Sequence, residues 1–125
     1  MKTILLVTLR QPVAELLIQK LRDFPGISLI YEPDYAKFSK AVASYGADTA
    51  LIEVQESGER GMAYCLSLCD QMRKETPRTR TLLLCPEQDT VVVSDAVEAK
   101  REGRIDDFLF YNATTDYLTS KLLAM

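Results

Sequence analysis

The feature that most restricts the fold of this chain is a series of five short apolar runs with little polar alternation. They are Thr3–Val7, Ile27–Tyr31, Ala50–Val54, Thr81–Cys85 and Phe108–Tyr111, the second being the weakest. Each is short, rich in β-formers, and bounded by polar residues or Gly/Pro punctuation. A strand wetted on one face alternates apolar with polar, whereas a strand covered on both faces does not. The runs therefore predict a sheet buried on both sides.

The intervening segments carry helical spacing. Val13, Leu16, Leu17 and Leu21 recur on one face, with Pro12 at a first-turn position and Pro25-Gly26 closing the unit. Tyr35–Tyr45 predicts a second helix ended by Gly46, and Met62–Glu75 a third with Pro77 just beyond it. A fourth spans Thr90–Glu102 and stops at Gly103, although Val91, Val92 and Val93 are poor helix formers for its entry. The last begins near Thr114 or Thr115, either of which suits a cap. Five βα units with right-handed crossovers make a three-layer αβα sandwich, flavodoxin-like, with parallel strand order 2-1-3-4-5. No repeat, low-complexity tract or linker divides residues 1–125, so a single domain is expected.

Composition narrows the function classes. The net charge of -3 opposes a broad grip on nucleic acid or an anionic membrane, which needs clustered positive charge. No apolar run reaches the length of a membrane span, and Ile4–Val7 is too short for a secretory leader core. Three cysteines (Cys65, Cys69 and Cys85) and no histidine argue against a disulfide framework and for a cytoplasmic location. Cys65 and Cys69 lie one helical turn apart, but without histidine they read as buried small hydrophobes rather than zinc ligands.

In such a sheet a ligand site forms beyond the carboxyl ends of the strands, at the switch point between the first and third. The residues leaving those ends are Thr8-Leu9-Arg10, Glu53-Val54, Cys85-Pro86 and Tyr111-Asn112. The stretch from Asp48 through Glu53 to Gly61 resembles the centre of response-regulator receiver domains of the chemotaxis type. In that family an apolar strand ends in the phospho-accepting aspartate, followed by a Pro-Gly loop with a second glycine. Glu53 falls on the acceptor, Ser57 on the proline, and Gly58 and Gly61 on the two glycines. Asp106-Asp107-Phe108-Leu109 resembles the family's acidic pair and aromatic before the fifth strand.

The departures carry the functional expectation. Receivers hold Mg²⁺ with an acidic pair where this chain has Thr8 and Leu9, which do not supply the carboxylates a hard cation wants. Tyr111 replaces the phosphate-pairing lysine, Asn112 its following proline, and Cys85 the switch hydroxyl, a weaker donor. Glu53 keeps a charge but adds a methylene. Phosphoryl transfer rests on positioning and charge neutralisation, so the resemblance implies a degenerate pseudo-receiver. For Glu53 the plainer reading is a half-exposed carboxylate without a role. The sharper one is a fixed charge imitating a switched state, with Arg10, within reach of Glu53 or Glu56, as a built-in cation. Phe108 occupies the aromatic-switch position but reads as core packing with Cys85 opposite it.

The expected function is signalling through contacts with a protein partner or a second copy, independent of phosphorylation, with no metal, cofactor or enzymatic activity. The contact face implied by the resemblance is the fourth helix, fifth strand and fifth helix, where Val91–Val93, Phe110, Tyr111 and Tyr117 lie. One alternative is a working atypical receiver phosphorylated by a histidine kinase on Glu53 or Asp48. The other is a small-molecule domain on a flavodoxin-like fold. Thr8-Leu9-Arg10-Gln11-Pro12 lacks a flavodoxin's hydroxyl-rich phosphate loop, and no dinucleotide glycine pattern follows any strand. No histidine is present to ligate a cobalamin or to activate a cysteine nucleophile.

Overall fold

A helix between each pair of strands returns the chain to the start of the next strand, so neighbouring strands run parallel. The computed structural model describes residues 2–55, 61–110 and 115–124. Its strands β1 (Lys2–Val7), β2 (Ile27–Tyr31), β3 (Thr49–Glu53), β4 (Arg80–Cys85) and β5 (Asp107–Phe110) form one parallel sheet. Their order is β2-β1-β3-β4-β5, as the sequence predicts.

Side-chain alternation along each strand feeds two separate cores. Ile4, Leu6, Leu51, Leu82, Leu84 and Leu109 face α1 (Gln11–Leu21) and α5 (Thr115–Ala124). Leu5, Val7, Ala50, Ile52, Leu83 and Cys85 face α2 (Phe38–Tyr45), α3 (Met62–Glu75) and α4 (Thr90–Arg101). A fully buried leucine or isoleucine contributes about 1.5–3 kcal/mol, so this paired burial dominates the fold's stability. Cys65, Cys69 and Cys85 are free thiols inside the second core, packed as small hydrophobes. Among the described residues no helix is long and apolar enough to cross a membrane.

The differences from the sequence reading are local. The Tyr35–Tyr45 segment divides because the Asp34 carboxylate accepts the Ala36 amide N–H and caps a single 3-10 turn over Tyr35–Lys37 before α2 begins. Gly46 then ends α2 in the left-handed region at φ +60°, which a side chain would strain. The valine-rich entry to α4 is secured by Asp89, whose Oδ1 accepts the Val91 and Val92 amides at 3.2 and 3.1 Å. The strand at the third run starts and ends one residue earlier than Ala50–Val54, although the Val54 amide still donates to the Leu84 carbonyl. Val92 is buried, so it leaves the exposed set proposed for the α4 face.

Candidate functional site around Glu53

Strand register builds this site. Val7 lies opposite Ile52, which brings the next residues, Thr8 and Glu53, side by side on the face that carries Ile4, Leu6 and Leu51. Glu53 is 1% exposed, so the expectation of a half-exposed carboxylate is wrong. The strand end is covered by its neighbours, and a buried carboxylate must find donors of its own.

Those donors come from three places. The Thr8 hydroxyl donates to Glu53 Oε1 at 2.6 Å, and Gln55 Nε2 donates to the same oxygen at 2.7 Å. Arg10 Nε lies 3.0 Å from Oε2, an ion pair between a half-exposed guanidinium and a buried acid. Its angle leaves Oε2 without an aligned hydrogen bond, so this contact acts mainly through charge. The candidate cation of the sequence reading therefore faces Glu53. Thr8 also accepts the Arg10 amide N–H at 2.9 Å, so one buried hydroxyl links the loop carrying the cation to the acid.

The backbone beneath the site is held just as firmly. Tyr35 donates to the Glu53 carbonyl at 2.6 Å, and the Cys65 thiol approaches the same oxygen at 3.8 Å. Tyr31 donates to the Thr8 carbonyl at 2.8 Å. Burial, with Glu53 nearby, pushes the Tyr31 phenol up from its ordinary value and keeps it a donor. Sequence reasoning missed Gln55, Tyr35 and Tyr31. For Gln55 a signal existed, since it stands two residues beyond Glu53 and strand alternation returns it to the same side.

The remaining named positions separate. Leu9 is 60% exposed and turns away from the buried cluster. Cys85 is fully buried, its thiol pushed up to about 12 by desolvation, and it packs as an apolar group. Phe108 is partly buried against the second core, as the packing reading expects, but the residue across from it is Leu83; Cys85 lies opposite Phe110. Tyr111, Asn112, Glu56, Ser57 and Gly58 lie outside the described residues. Asp48 sits at the amino end of β3, a strand's length from Glu53, with its carboxylate accepting the Thr3 amide at 2.8 Å. Asp107, before the aromatic of β5, pairs with Lys100 and Lys121, each at 3.1 Å.

This donor set suits an anion. A hydroxyl and an amide donate to one carboxylate and a guanidinium lies beside it, while Mg²⁺ needs several oxygen ligands and keeps cations at a distance. Among the described residues no group of three or more acidic, cysteine or histidine side chains converges as a metal site would. The described residues do not fit the ion that the resemblance to receivers implies.

No protein-family model and no curated protein matches the chain. Solved structures do. An orphan response regulator of H. pylori superposes with a TM-score of 0.79 at 12% identity, over 98% of this chain and 94% of that one. A Francisella response-regulator receiver domain gives 0.76 at 18% identity, over 99% and 95%. The signal receiver domain of an HD domain-containing protein from Pseudomonas fluorescens gives 0.76 at 22% identity, over 98% and 85%. These likenesses extend over nearly the whole chain, and the chain has the fold of response-regulator receiver domains.

Proposed function

We propose that this chain is a pseudo-receiver: a signal-transduction module with the receiver fold that acts through protein contacts without being phosphorylated. One observation carries the reading. The carboxylate at the acceptor position is buried and already held by Arg10, Thr8 and Gln55. A phosphoryl group must approach a carboxylate oxygen in line, with a metal and a cation ready to neutralise its charge. Here the cation is matched to the acid itself, and the metal ligands are replaced by Thr8 and an outward Leu9. The Arg10–Glu53 pair then serves as a fixed brace between β1 and β3, where an ordinary receiver would change charge.

Contacts are the remaining means of signalling. Val91 and Val97 on α4 and Tyr117 on α5 are exposed large apolar residues on elements flanking β5. They support a protein partner or a second copy at that face. The three buried thiols fit a reducing, cytoplasmic setting.

The test is incubation with acetyl phosphate and Mg²⁺, followed by intact-mass measurement. No adduct is expected, and a stoichiometric adduct on Glu53 or Asp48 would overturn the reading in favour of a working atypical receiver. Light scattering then distinguishes a dimer from a monomer that needs a different partner.

A further inference from the structure

The opposite end of the sheet, where the strands begin, carries a feature that the signalling role does not use. At the amino end of β4 and the turn before β5 lies a concavity of about 350 Å³, lined by Arg73, Arg78, Arg80 and Arg104. Asp106 is the one acid among its described lining residues. The arginines come from the last turn of α3, the α3–β4 connection, the first residue of β4 and the turn after α4. Four guanidinium groups around one small hollow is an unusual concentration in a chain of net charge -3. Their mutual repulsion is relieved when an anion sits among them.

The arrangement has one fixed donor and three adaptable ones. Asp70 grips Arg104 with two bonds, Nε to Oδ1 at 3.2 Å and Nη2 to Oδ2 at 2.7 Å, which orients its guanidinium and leaves Nη1 available. Arg73, Arg78 and Arg80 are exposed, and Arg73 lies close enough to Asp70 to lower its carboxyl together with Arg104. Asp106 Oδ2 accepts the Thr81 amide at 2.7 Å, which fixes the carboxylate against β4. Guanidinium forks match phosphate oxygens in pairs. Among the described lining residues there is no aromatic ring, so they offer no surface for a base to stack on.

We propose that this hollow binds a compact polyphosphate group, free or as the phosphate tail of a nucleotide, with Arg104 as its fixed donor. The site is a strand's length from Glu53 and stands independently of the pseudo-receiver reading.

Calorimetric titration of the whole chain at low ionic strength with inorganic pyrophosphate, and separately with ADP, tests it. Saturable 1:1 binding of pyrophosphate is expected, with ADP of similar affinity because nothing holds the base. Arg78→Gln and Arg80→Gln, both at exposed positions, should each weaken binding by about three- to tenfold, while Asp106→Asn should strengthen it. Lys40→Gln removes the same charge from exposed α2 and should leave binding unchanged. Absence of saturable pyrophosphate binding overturns the proposal. So does an equal loss in Lys40→Gln, which would assign the effect to overall charge, or ADP binding where pyrophosphate does not.

Discussion

Removing the Arg10 side chain tests the central geometry most directly. Arg10→Ala leaves Glu53, 1% exposed, without its cation, while Thr8 and Gln55 still donate to Oε1. Breaking a fully buried pair costs about 3–5 kcal/mol, and a fully exposed one about 0–1 kcal/mol. This pair lies between, since the guanidinium side is 47% exposed. The expected loss is about 1.5–2.5 kcal/mol, which lowers Tm by roughly 5–10 °C for a domain of this size. Glu53→Gln keeps the acceptor for Thr8 but removes the charge. The double variant Arg10→Ala/Glu53→Gln should therefore recover much of the loss, with a coupling of about 1–2 kcal/mol in the cycle. Urea unfolding followed by far-UV circular dichroism supplies all four values. Single effects that add within about 0.3 kcal/mol would refute the pair as a stabilising brace.

Three further outcomes follow from the same structure. Tyr35→Phe deletes the buried hydroxyl that holds the Glu53 carbonyl and should cost about 1–1.5 kcal/mol in urea unfolding; no measurable loss would show that the bond adds nothing. Burial opposes ionisation of Asp107, but the Phe108 amide with Lys100 and Lys121 outweighs it and holds the carboxyl below its usual 3.8. A depressed folded value contributes stability that is present above the unfolded value and lost as pH falls through the folded one, so Asp107→Asn should flatten the acid limb of the stability profile below the usual carboxylate range. A limb as steep as that of the parent protein would count against it. Burial raises the Cys69 and Cys85 thiols to about 12, and Cys65 is fully buried, so a thiol reagent at mildly alkaline pH should label them only on unfolding. Fast labelling of the native protein would contradict this packing.

Much of the fold was legible beforehand because burial on both faces writes itself into sequence as unbroken apolar runs, and helices as recurring apolar spacing. Those patterns placed all five strands and their order, and put Thr8, Arg10 and Glu53 at the switch point. The departures from those patterns have physical causes as well. The break before α2 came from the Asp34 cap, a side-chain bond that apolar spacing does not record. The facing of Phe108 and Cys85 depended on register, which shifts by single residues that the runs do not specify.

What tertiary structure alone decided is which way the polar side chains turn and what they meet. Glu53 reads from the sequence as a half-exposed strand end; β1, the loop behind it and Gln55 close over it and make it buried and paired. Likewise Arg73, Arg78, Arg80 and Arg104 are ordinary charged residues along the chain, 31 positions apart from first to last. They become one basic hollow only when β4 and β5 are set side by side. The hydrophobic pattern is local in sequence and survives reading one residue at a time, whereas charge pairing is a property of distance, and distance between remote residues exists only in the folded chain.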